Sequence, residues 1–151
     1  MPVRDSARPK PSTTPEPYHP WRHADALGVK VLIEELEDCV GYWDHGTRTI
    51  HLARGITQRQ RRAVLAHEVE HACNDDRPLL DAVLHTRRER ATDLVAARRL
   101  IPFDLLVEAL RWTGNERELA DELWVDIPTV RMRLVTLTVG ERAAIEAGLA
   151  V

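Results

Sequence analysis

Cysteine is scarce in this 151-residue chain. The two present, Cys39 and Cys73, fall in no C-x-x-C or zinc-finger spacing. Two thiols cannot staple a domain of this size, which excludes a disulfide scaffold and a cysteine-ligated zinc module as organising principles. No apolar run approaches the roughly 18 residues of a membrane span. The N-terminus lacks the apolar core of a secretory signal, so the expected location is the cytoplasm. Charge of one sign is not in excess either. With 21 Lys+Arg against 24 Asp+Glu the net charge is -3, which gives no overall electrostatic ground for a nucleic-acid or membrane partner. Lysine is nearly missing, at Lys10 and Lys30 only, a bias of a GC-rich genome rather than a function.

What is present suits a soluble globular protein: 44% hydrophobic and 30% charged residues lie well away from disordered composition, and the length allows one domain with a real core. Residues 1–20 hold six prolines and little apolar matter, too little to offset ordering, and read as a disordered tail. A short helix follows, stopped at Gly28. Three β-branched or aromatic stretches, 29–36, 39–43 and 47–52, with a turn at Asp44, His45 and Gly46, predict a small antiparallel sheet.

Thr57 with Gln60 three residues on resembles a capping box and predicts a helix to about Asn74. Helical patterning resumes over 87–100, 103–112, 116–123, 128–137 and 140–149. The expected organisation is a tail (1–20), a core with a sheet packed on a central helix (21–102) and a helical C-terminal subdomain (103–151), an α+β fold.

The segment "AVLAHEVEHACND", residues 63–75, carries the chemistry. On a helix His67 and His71, four apart, lie one above the other and can offer both imidazoles to one ion. Glu68 falls beside them, placed to accept a proton from an attacking water rather than to ligate. Leu65, Val69, Ala72 and Cys73 form the opposite, apolar side, and Glu70 is expected to be a solvated charge.

A third ligand is available in "RRERATDLVAARRLIP", residues 87–102, where Glu89 and Asp93 again share a helix face. His2Glu is a known zinc set that leaves one position open, so Glu89 can complete it. Asp93 can accept the N–H of a ligating histidine and fix its tautomer. Without a metal, both would be exposed charges paired with Arg87 or Arg90. His45, His51 and His85 are further polar groups that could assist a transition state.

HEVEH (67–71), E-x-x-x-D (89–93) and VAARRLIP (95–102) together resemble the ImmA/IrrE family of metallo-endopeptidases. The resemblance covers 29–102 and, more loosely, the helical tail. It implies a zincin-like fold, Zn2+ held by His67, His71 and Glu89, Glu68 as catalytic base, and Asp93 behind a ligating histidine. The implied substrate is a partner transcriptional regulator of the repressor type, often encoded nearby, in phages, other mobile elements or stress responses. Three positions depart from the usual second motif: Ala91 where an acidic residue is common, Val95 where phenylalanine is, and Arg99 where leucine is.

A rival reading comes from "ELADELWVDIPTVRMRL", residues 118–134, which scans as a helix-turn-helix with its turn at Val125 and Asp126. The alternative is thus a DNA-binding or regulator-binding protein that uses 116–137 and keeps a non-catalytic metal site. Against DNA, Trp124 stands at the turn position glycine often takes. From 116 to 146 four arginines face seven acidic residues, a poor match for phosphate, and only Arg131 and Arg133 could read bases. The plainer reading is a helical subdomain with Leu119, Leu123, Val130, Leu134 and Leu137 as core. For a protein substrate, the alternating stretch 47–52 is the expected edge strand beside the cleft.

Overall fold

A computed structural model describes residues 16–149; most of the expected tail, residues 1–15, lies outside the described residues. Thr57 accepts the Gln60 N–H while the Gln60 side chain accepts that of Thr57. These reciprocal bonds satisfy two donors that a helix start leaves open. The long helix that begins there is preceded by α1 (Pro20–Ala26) and three strands, β1 (Lys30–Glu34), β2 (Gly41–Asp44) and β3 (Thr49–Ala53), and is itself α2 (Gln58–Cys73). Five helices follow: α3 (Ala82–Leu100), α4 (Phe103–Trp112), α5 (Glu116–Leu123), α6 (Ile127–Val135) and α7 (Val139–Leu149).

The α+β class stands, with two differences in the sheet. Strand order is β1-β3-β2, with β2 antiparallel and β1 parallel to β3, so the sheet is mixed rather than antiparallel. β3, expected at the edge, is the central strand, and β2 carries the open edge toward the helices. The reason is burial: Ile50 and Leu52 of β3 are fully buried against Leu65 and Val69 of α2, and the strand with most apolar surface to hide takes the middle. Gly41 lets β2 close on α2. A Cβ there would stand 2.5 Å from Val64 Cγ1 and 3.0 Å from the His51 carbonyl oxygen.

Because α2 packs against the sheet, α1 and α3 together, little of it is left for solvent. Glu70, expected as a solvated charge, is instead 7% exposed. Its carboxylate lies 2.8 Å from Arg99 Nη1 of α3 and accepts a bond of 3.1 Å from Asn74. Arg99 is the residue standing where the resembled motif favours leucine, and the buried Glu70 accounts for it. Cys73, expected on the apolar side, is exposed beside His23.

α3 starts at Ala82 rather than at Arg87, because Asp81 accepts the Leu84 N–H and caps it. Its first turns expose Val83 and Leu84, so no buried face imprints a helical period there. The C-terminal helices share one core with α2 and α3, including Ala66, Leu100, Leu106, Leu119 and Val130, with Leu123, Leu134 and Leu137 packed around it. Arg133, 2% exposed, bonds the Ile101 carbonyl and Glu141, which Arg98 also meets. Those contacts tie α3, α6 and α7 into one unit.

Trp124, at the glycine position of the helix-turn-helix pattern, adopts φ 55°. Arg62 bonds its carbonyl at 2.9 Å and the Arg59 guanidinium stacks 4.9 Å over its ring. Among the described residues no helix is long and apolar enough to cross a membrane.

Candidate metal centre

His67 and His71, one turn apart on α2, bring their Nε2 atoms to 3.0 Å. Glu89, carried across from α3, reaches both, with one carboxylate oxygen 3.0 Å from His67 Nε2 and the other 3.2 Å from His71 Nε2. Each ring is anchored from behind. His67 Nδ1 lies 2.8 Å from Asp93 and His71 Nδ1 lies 2.7 Å from Asp76. A ring that donates its Nδ1–H to a carboxylate presents Nε2 as a lone pair. Two such lone pairs and two Glu89 oxygens then meet with no proton to share.

That arrangement calls for a cation. The separations lie close to the roughly 3.3 Å edge of a tetrahedron built on zinc–nitrogen bonds of about 2.0–2.1 Å, so the donor set fits zinc. Without metal the site draws in protons. Burial opposes a charged His67, but the bond to Asp93 and the carboxylates of Glu68, Asp93 and Glu89 outweigh it and hold this imidazole up at about 9.

Glu68 is buried, 7% exposed. Desolvation pushes its carboxyl upward; the two histidines and a hydrogen bond from the Trp43 backbone pull it back, and Glu89 adds to the rise. Its carboxylate and the two imidazoles come within 4.8 Å of one another. An acid held above the usual carboxylate range, beside a donor set that attracts cations, is suited to taking and returning a proton.

Two residues here escaped the sequence reading. Asp76 follows α2 in a loop, and Arg88 steadies it at 3.7 Å while bonding the Arg77 carbonyl at 2.7 Å. Trp43, on β2, sends its indole N–H to the Asp76 carbonyl at 3.1 Å, so β2 pins the loop behind His71. The sequence signal was only an acidic residue five places past a candidate ligand. Of the three extra histidines, His51 stacks on Tyr42 and pairs with Glu34, away from the centre, and His45 pairs with Asp75. His85 lines a cavity with His71 and Glu89.

Two cavities flank Glu68. One of about 320 Å³ extends from His67 to α6, and one of about 250 Å³ extends from His71 past Trp43 to Arg88. The antiparallel ladder, with the Ala53 N–H bonded to the Val40 carbonyl, turns the backbone groups of Gly41 and Trp43 away from β3 by its alternation, toward the open edge.

Both arginines that the helix-turn-helix pattern offers as base readers have partners. Arg131 pairs with Glu116 at 2.8 Å and Arg133 is buried. Pro128, Thr129 and Met132 of α6 line the larger of these two cavities.

The family model for Peptidase_M78, the IrrE N-terminal-like domain, matches residues 24–135. No curated protein matches the chain.

Proposed function

The chain belongs to the Peptidase_M78 family, with its IrrE N-terminal-like domain, and from that premise we propose that it is a zinc-dependent metallo-endopeptidase acting on a protein substrate in the cytoplasm. His67, His71 and Glu89 hold the zinc, Glu68 is the catalytic base, and Asp93 and Asp76 fix the two imidazoles. The observation that carries this reading is the convergence of both Nε2 atoms and the Glu89 carboxylate within 3.0–3.2 Å while both Nδ1 atoms are tied to carboxylates. A bound zinc supplies Lewis acidity, polarising a carbonyl and acidifying water.

The chain's own groups do the rest. Glu68 takes a proton from the attacking water and returns it to the leaving amine, base and then acid. A substrate held in extended form adds to the open edge of β2 rather than to the central β3, with Gly41 and the Trp43 carbonyl offering ladder groups. The substrate expected from the family resemblance is a repressor-type transcriptional regulator encoded near this protein.

Metal analysis of the purified protein, together with its incubation with that regulator, tests the reading. The expected result is about one zinc per chain and a single cut; a chelated, metal-free preparation that still cuts would contradict it.

A further inference from the structure

The cavity of about 320 Å³ beside Glu68 has no part in the chemistry above. Its catalytic end is formed by His67 and Glu68, and its walls by Val40 ahead of β2, Ala96 of α3, and Pro128 and Met132 of α6. Small side chains on the packed helices leave the space. Met132, unbranched and half-buried, is the adaptable part of the wall.

Two of its carboxylates are each engaged through one oxygen. Asp93 holds His67, and Asp126 accepts both the backbone N–H and the hydroxyl of Thr129. None of the buried unpartnered polar atoms among the described residues belongs to this wall. Apart from the catalytic end, these carboxylates and the Thr129 hydroxyl the lining is apolar, with Val40, Ala63, Val64, Ala96, Leu100 and Met132, so a ligand that fills the cavity meets mostly apolar surface, which favours an apolar group over a polar one. At about 320 Å³ the cavity sits at the lower end of ligand-sized pockets, about 300 Å³ upward, room for one large side chain rather than a folded element.

The cavity also adjoins the proposed path of the substrate. Val40 adjoins the open edge, and Glu68 lines both this cavity and the smaller one. We infer that this cavity is a specificity subsite that takes a bulky apolar side chain, such as leucine, methionine or phenylalanine, from one of the two residues flanking the scissile bond, with Met132 as its selector. The inference rests on the peptidase reading. It also accounts for the helix-turn-helix-like segment, because α6 then supplies the wall of a substrate pocket instead of a nucleic-acid reader.

The test uses the zinc-loaded full chain on a peptide library, with cut sites read by mass spectrometry. Wild type should cut where a bulky apolar residue flanks the bond. Met132→Trp should lose bulky-site cleavage by about 10- to 100-fold while keeping cuts beside alanine, and Met132→Ala should shift preference toward larger aromatics. Val40→Trp, narrowing the mouth from an exposed position, should act like Met132→Trp. Cuts without apolar preference, or an unchanged pattern in all three folded, zinc-loaded variants, would overturn the subsite.

Binding separates this inference from the reading beneath it. Labelled peptides carrying leucine or alanine at the site, titrated against Glu68→Gln, should bind with at least a several-fold preference for leucine. Equal affinities would overturn the subsite even if wild type cuts nothing. A leucine preference in a protein that cuts no library member would leave the subsite standing and refute the peptidase reading.

Discussion

Asp76 Oδ2 stands 2.7 Å from His71 Nδ1, as Asp93 stands 2.8 Å from His67 Nδ1, so each proposed zinc histidine leans on its own carboxylate. Asp76→Ala and Asp93→Ala should each lower zinc affinity about 10- to 100-fold, the usual effect of removing such a partner. Competition against a chromophoric chelator measures it. Wild-type affinity in both variants would mean that neither carboxylate orients a ligand.

The metal-free protein should lose stability as pH rises through the range where zinc binding strengthens. His67 is held up at about 9, above its unfolded value. The stability this contributes is fully present below pH ~6.5 and lost as pH rises toward 9, at most about 3 kcal/mol. Melting temperature in chelator should therefore fall on the order of 5–10 °C over that window. His67→Gln should flatten the change. Zinc affinity should move oppositely, rising to about pH 9 because a bound metal must displace that proton. A pH-independent zinc affinity across that range would contradict the linkage.

Glu70 and Arg99 should behave as a coupled pair. Arg99→Leu restores the residue common at that position yet strands a buried carboxylate, so it should cost roughly 1–3 kcal/mol. Adding Glu70→Leu should recover most of that loss, with a coupling energy above about 0.5 kcal/mol by denaturant unfolding. Strict additivity would show that the 2.8 Å contact does not explain Arg99.

How much of this was legible follows from which signals are local. The capping box at Thr57, the HEVEH helix and the Glu89–Asp93 face are each written within one helical stretch, so helical spacing, the H-E-x-x-H motif and the resemblance to the ImmA/IrrE family together brought His67, Glu68, His71, Glu89 and Asp93 forward. Asp76 and Trp43 act from a loop and a strand, where no period marks a side chain's direction. Strand order depends on which strand buries most, and β3 took the centre because Ile50 and Leu52 are fully buried. The burial of Glu70 was hidden for a related reason: a helix packed on three sides has no solvent face to spare, and one helix's sequence does not report how many neighbours it will have.

Gly41 should prove indispensable for bringing β2 to the centre. Gly41→Ala should destabilise the protein by about 1–3 kcal/mol and weaken any cleavage while zinc stays bound. Val64→Ala should rescue part of the loss, because the closest clash, 2.5 Å, is with the Val64 side chain. The His51 carbonyl, at 3.0 Å, cannot retreat, so full rescue would contradict the close approach of β2 to α2.

Zinc content and regulator cleavage, measured side by side for wild type, Glu68→Gln and Glu89→Ala, decide whether this is a zinc peptidase with separate ligand and base. Both glutamates lie close enough to the histidine pair to be confused as ligand and base, and only their separate removal tells the roles apart. Glu68→Gln should keep its zinc and lose cleavage by about 10²- to 10⁴-fold, the contribution of a general base, whereas Glu89→Ala should lose the metal itself. A Glu68→Gln protein stripped of zinc beside a fully loaded Glu89→Ala would contradict these roles.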